Sequence, residues 1–146
     1  MDEPKSQNSV GFQFGMFMRV FRKLVVKRFQ EHDTGLTMEQ FAILHRISEE
    51  DEPTQSEIAA AIGLDKSAVM RIIDILEDKR LVARLSDGED RRKKALVITK
   101  KGGEKIEEAG QFFETIIEEL SEGVNAEEMQ SFLKTLNKLR HNAEKH

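Results

Sequence analysis

Four adjacent cations, Arg91, Arg92, Lys93 and Lys94, follow an acidic turn and lead directly into the apolar run at residues 95–99. The nearby carboxylates of Asp87, Glu89 and Asp90 cannot neutralise all four. Excess positive charge on a narrow projection suits the minor groove of duplex DNA, whose potential is most negative where the groove is narrow. Arg91, Arg92 and Lys93 are therefore expected to contact DNA. Asp87 and Asp90 are expected to shape the turn and orient an arginine, because a carboxylate beside phosphate is repelled.

A second group lies upstream. Val69, Ile72, Ile73 and Leu76 follow helical spacing and form an inward stripe, which leaves Lys66, Ser67, Met70, Arg71 and Asp74 on the opposite face. Residues near the start of a recognition helix enter the major groove. Arg71 can fork onto a guanine, Ser67 is permissive, and Met70 offers an apolar contact.

These groups need a frame. Residues 1–8 are expected to be a disordered tail. A helix is expected from Ser9 to about Glu31, with Phe14, Phe17, Phe21, Leu24 and Val25 in its stripe. Thr37 to Gln40 and Thr54 to Glu57 both fit the capping box that opens a helix. The second opens a short helix over residues 55–62 that Gly63 ends, and Asp65 caps the next helix, which runs to about Lys79. Two short helices across a tight glycine turn are a helix-turn-helix. Strands are expected over residues 81–85 and 95–99, joined through Asp87-Gly88, so the unit is a winged helix. A long helix over residues 100–120 and a last one capped by Asn125 complete the chain.

The composition excludes several chemistries. Without Cys there is no disulfide framework, zinc–thiolate site or thiol nucleophile. The four His residues lack metal-ligand spacing, and there is no phosphate-binding glycine loop or HExxH pair, so neither catalysis, a metal nor a cofactor is expected. No apolar run approaches a membrane span and the N-terminus does not resemble a signal peptide, so a soluble cytoplasmic protein is expected. The net charge of −4 is unevenly spread. Residues 79–101 hold nine Lys/Arg against three Asp/Glu, whereas residues 106–128 hold eight Glu and no Lys or Arg. One part can face a polyanion, and the other is repelled by it.

The stretch TQSEIAAAIGLDKSAVMRIIDILEDKRLVARLSDGEDRRKKALVITKKG resembles the multiple-antibiotic-resistance regulator (MarR) family of winged-helix transcription factors. Arg84, Asp87, Asp90, Arg92, Leu96, Ile98, Thr99 and Gly102 fall at that family's spacing, and LTMEQFAILHRI is similar to its second helix. Arg84 joins the DNA-binding set on that spacing. The resemblance implies a homodimer with recognition helices in successive major grooves, and usually a small-molecule effector. It also implies that Asp74 braces a wing arginine, Arg92 being the first choice. Arg80 stands where the family often has Gly, and Met70 where it often has Thr. The Arg80 departure implies either a less tightly turned helix end or a phosphate contact.

The expected architecture is mainly α with a small β-wing: a winged helix-turn-helix over residues 37–100, a dimerisation helix and loop over 9–36, and C-terminal dimerisation helices over 101–146. The expected function is sequence-specific binding of double-stranded DNA by a homodimeric repressor of a pseudo-palindromic operator, relieved by a small aromatic or anionic effector. Phe17, Phe21, His45 and Arg46 are candidate effector contacts, although the phenylalanines equally suit a packed core. Two other readings remain: a winged helix that binds an acidic protein partner, and a DNA-binding regulator without an effector.

Overall fold

The computed structural model describes residues 9–86 and 94–146; of Lys94 only the backbone is described. The expected tail at residues 1–8 and the wing tip at residues 87–93 lie outside the described residues. Eight elements follow in order: α1 (Val10–Glu31), α2 (Met38–Glu49), α3 (Gln55–Ile62), α4 (Lys66–Asp78), β1 (Val82–Ser86), β2 (Lys94–Ile98), α5 (Lys100–Leu120) and α6 (Ala126–Glu144). The fold is a mostly helical winged helix-turn-helix with a two-stranded antiparallel sheet. The chain divides into two compact units, Met1–Phe113 and Glu114–His146.

Local chemistry sets the helix ends. Ser9 accepts from the Phe12 N–H at 3.2 Å and starts α1. Thr37 with Gln40, Thr54 with Glu57, and Asn125 with Glu128 each close a capping box in which both reciprocal bonds are present. Gly63 ends α3 at φ +72°, where a Cβ would be strained, and donates to the Ala59 carbonyl. The tight turn into α4 follows from that geometry.

The first unit packs around one core. Val25 and Phe29 of α1, Ile43, Leu44 and Ile47 of α2, Ile58 of α3, Val69, Ile73 and Leu76 of α4, and Leu96 of β2 are all buried. Full burial of one such side chain stabilises the fold by about 1.5–3 kcal/mol. The strands pair Val82 with Ile98 through to Ser86 with Lys94. Each strand lies one residue from its expected position, for a physical reason. The Leu81 N–H closes the end of α4 on the Leu76 carbonyl (2.9 Å) and is not available to the ladder. Thr99 in turn donates its N–H to the Leu81 carbonyl and its hydroxyl to the Arg80 carbonyl, so β2 stops at Ile98. On its other side β2 meets the segment before α3, through a bridge between Thr54 and Ala95 and a Leu96 N–H bond to the Pro53 carbonyl.

Arg80 does not loosen the end of α4. It adopts φ +62° and donates its N–H to the Glu77 carbonyl, which together with the Leu81 bond forms a glycine-type helix stop made by an arginine.

The expected stripe of α1 is only partly covered. Val25 and Phe29 are buried, but Phe14 and Phe17 remain 45% and 50% exposed, and Val10, Phe12, Met16 and Val20 are exposed with them. In the second unit no residue of α6 is buried, and Phe132, Leu133 and Leu139 are half-exposed. No helix among the described residues is long and apolar enough to cross a membrane.

Candidate nucleic-acid interface

The outer face of α4 carries Lys66, Ser67, Met70, Arg71 and Asp74, all exposed, while Val69, Ile73 and Leu76 are buried beneath them. The i, i+4 spacing aligns Lys66, Met70 and Asp74 in one row and Ser67 and Arg71 in the next. Lys66 and Arg71 form no ion pair within 4 Å among the described residues, although the Asp65 carboxylate acts on Arg71 at longer range, so this face presents two cations on a rigid helix. Its N-terminus is organised by Asp65, whose carboxylate accepts from the Ala68 N–H at 3.3 Å and from the Ser67 hydroxyl. The Ser67 hydrogen bond, above all, and the Ala68 bond hold the Asp65 carboxyl below the usual carboxylate range.

Arg84 has a different environment from the one expected of a DNA-reaching cation. Its side chain is only 15% exposed. It donates through Nη2 to Asp74 at 2.5 Å and through Nη1 to Glu77 at 3.0 Å. The Gln55 amide oxygen, in the orientation that satisfies both groups, accepts from Arg84 Nε and Nη2 at 2.9 and 2.8 Å. The guanidinium fork therefore ties β1 to the start of α3 and to α4. The cause is strand alternation: Val82 is buried, and Arg84, two residues on, points to the same side. Asp74 thus holds Arg84 of β1, and the expected brace between Asp74 and Arg92 falls on a residue that is not described. Arg92 lies outside the described residues, as do Arg91, Lys93, Asp87 and Asp90. Gln55 and Glu77 were missed by the sequence reading; Glu77 follows Asp74 by three residues on a helix, and that spacing was a usable signal.

Three of the four candidate effector contacts belong to one chain of aromatic rings. Phe17 stacks on Phe21 at 5.7 Å, Phe21 meets Phe113 edge-on at 6.3 Å, Phe113 meets Phe41 at 6.0 Å, and Phe41 meets His45 at 5.8 Å. The connecting rings, Phe41 and Phe113, were not among the candidates. Arg46 is held by Glu50 at 2.5 Å, with Glu49 at 3.9 Å, and its Nε is buried without a partner. An anion approaching Arg46 must compete with Glu50. Among the described residues no group of three His, Asp or Glu side chains could hold a metal ion.

A helix-turn-helix followed by a pair of antiparallel strands, with a cationic outer helix face, defines the winged-helix class. Residues 36–94 match the sequence profile of the MarR family. The fold is similar to that of BpsR from Bordetella bronchiseptica, described with the regulation of its DNA binding by 6-hydroxynicotinic acid (28% identity, TM-score 0.74, covering 88% of this chain and 98% of that one). A MarR/EmrR family transcriptional regulator from Acinetobacter is likewise similar (25%, 0.76, 92% and 94%). The Staphylococcus aureus MepR–DNA complex shares the fold (22%, 0.72, 96% and 99%). Residues 36–94 thus resemble the MarR family, and the fold is the winged-helix fold of MarR/EmrR regulators.

Proposed function

We propose that this protein is a homodimeric repressor that binds a pseudo-palindromic operator and releases it when a small aromatic or anionic molecule binds. The observation that carries the reading is the outer face of α4, where Lys66, Ser67, Met70 and Arg71 project from a buried, capped helix with both cations unpaired among the described residues. Such a face fits the major groove, and the RRKK segment extends the same cationic surface in sequence. Asp74, Glu77 and Gln55, by holding Arg84, fix the angle between α4 and the base of the wing. Arg91, Arg92 and Lys93 are assigned to the DNA backbone or minor groove, with Asp87 and Asp90 shaping the turn.

Dimerisation is supported by the apolar residues that one chain leaves open on α1 and, separately, on α6. A twofold dimer matches a palindromic site. Effector release is supported by the ring series from Phe17 to His45, and BpsR provides a precedent for regulation by an aromatic acid.

Genomic-fragment selection with the purified protein, followed by duplex binding at several salt concentrations, tests the reading. The expected result is a pseudo-palindrome with half-sites about one helical turn apart. A log–log salt slope of about −6 to −9 corresponds to roughly 7–10 phosphate contacts. Uniform weak binding with no enriched sequence refutes it.

A further inference from the structure

We propose that Asp65 fixes Ser67 as a hydrogen-bond acceptor toward DNA, so that the first turn of α4 selects a base bearing an exocyclic amine, adenine or cytosine, at one position in each half-site. The inference rests on the DNA-binding reading above and adds a direction of recognition to it.

A serine hydroxyl has one proton to donate and two lone pairs to accept with. Left free, it pairs with either kind of base edge and discriminates little. Here the proton is committed. Ser67 Oγ donates to Asp65 Oδ2, the same oxygen that caps α4 by accepting from the Ala68 N–H. That oxygen cannot move away to release the hydroxyl without also giving up the helix cap. The Asp65 carboxyl stays ionised at any working pH, its affinity for protons lowered first by this serine bond, so it only accepts. The direction of the bond is therefore set.

What remains on Ser67 is a pair of lone pairs on the exposed face, between Lys66 and the next-turn Arg71. In the major groove only adenine N6 and cytosine N4 offer hydrogens to such an acceptor. Guanine O6 or thymine O4 at that position would face lone pairs with lone pairs. The chemistry divides the work on this face: Lys66 and Arg71 donate, whereas Ser67 accepts. One hydrogen bond of this kind corresponds to roughly three- to tenfold discrimination.

The test uses the full-length protein and a duplex library in which each position of its selected operator is varied. Wild type should favour A or C over G or T roughly three- to tenfold at one symmetric pair of positions. Ser67→Ala should abolish that preference and leave the other positions unchanged. Asp65→Gly keeps an acceptable helix cap but frees the hydroxyl to rotate. It should flatten the preference at the same pair, while overall affinity holds or rises because a negative charge has left the phosphates. Asp65→Asn, whose amide oxygen can still accept both bonds, should retain the preference. Circular dichroism checks that each variant is folded. Full discrimination in Asp65→Gly, or a preference for G or T lost in Ser67→Ala, overturns the inference while leaving DNA binding intact. If wild type selects no duplex, the DNA-binding reading fails and this inference fails with it.

Discussion

Gly102 and Gly103 are adjacent residues in the first turn of α5, and the same substitution should move stability in opposite directions at the two. A Cβ on Gly102 would lie 2.1 Å from the Leu81 carbonyl oxygen, 3.0 Å from its carbon and 3.1 Å from Ile98 Cγ2. An ordinary carbon–oxygen contact is about 3.3–3.6 Å. The obstacle is backbone, and the same carbonyl accepts the Thr99 N–H that ends β2. Gly102→Ala must therefore push α5 away from the turn between α4 and β1. Overpacking of this kind costs about 1–3 kcal/mol, and the upper figure applies because no flexible side chain can yield. Alanine returns about 1 kcal/mol through its better helix propensity, which leaves a net loss of about 2 kcal/mol. At Gly103 a Cβ meets nothing within 4 Å, so Gly103→Ala has only the propensity gain of about 1 kcal/mol.

Thermal unfolding at one fixed protein concentration measures both, since the midpoint of an oligomer depends on concentration. For a chain of this size about 1 kcal/mol corresponds to roughly 2–4 °C. Gly102→Ala should lower Tm by about 4–8 °C and Gly103→Ala should raise it by about 2–4 °C. A Gly102→Ala variant as stable as wild type would refute the close approach of α5 to Leu81.

Three other perturbations have defined outcomes. Arg80→Gly should stabilise the fold by about 0.5–1 kcal/mol, read as a rise in Tm, because φ +62° is costly for any residue with a Cβ. Arg84→Ala should cost about 1 kcal/mol of stability, discounted because Asp74 and Glu77 are well exposed. It should also weaken operator binding about tenfold by freeing two carboxylates beside phosphate. Arg84→Lys should not restore binding, since an ammonium cannot reproduce the fork; full rescue in a binding titration would contradict this. An NMR titration of the Asp65 carboxyl should have its midpoint below the usual aspartate value and move upward in Ser67→Ala. The folded-state value is depressed, so the linked stability is present above the unfolded-state value and is lost as pH falls through the folded one.

The parts of the molecule that were legible in the sequence are those fixed over a few residues. The three capping boxes span four residues each, and Gly63 marks the turn of the helix-turn-helix by itself. The outward set on α4 followed from the period of Val69, Ile73 and Leu76. Long-range bonds were not legible. The bridge between Thr54 and Ala95 joins residues far apart in sequence, and the Leu81 and Thr99 bonds displaced both strands by one residue. Arg84 joined the DNA-binding set because it falls at the MarR family's spacing, whereas the three groups that surround it come from two helices, α3 and α4. The Asp65–Ser67 bond was close enough in sequence to be seen, but the capping role alone already accounted for Asp65.

Thr99 is where the end of α4 meets α5. Its hydroxyl donates to the Arg80 carbonyl at 2.7 Å and accepts from the Gly102 N–H at 3.0 Å. Lys101 Nζ reaches the Lys79 carbonyl at 3.2 Å, so two carbonyls just beyond the end of α4 are held from the start of α5. Further along, α5 carries Phe112, stacked on His32 at 4.0 Å, and Phe113, within the ring series that reaches His45. One rigid helix therefore contacts both the aromatic rings and the end of the proposed recognition helix. Thr99→Val keeps the shape and removes both hydroxyl bonds, at a cost of about 2 kcal/mol from a lost cap and a lost hydrogen bond. Coupling is reciprocal, so its loss can be read without an effector. Operator binding should slow amide exchange in the first turns of α5 in wild type, and this protection should largely disappear in Thr99→Val under conditions where the variant is folded and saturated with DNA. If α5 is equally protected in the variant, the threonine is only a helix cap, and any signal between the rings and α4 must pass through α2 and the core beneath it.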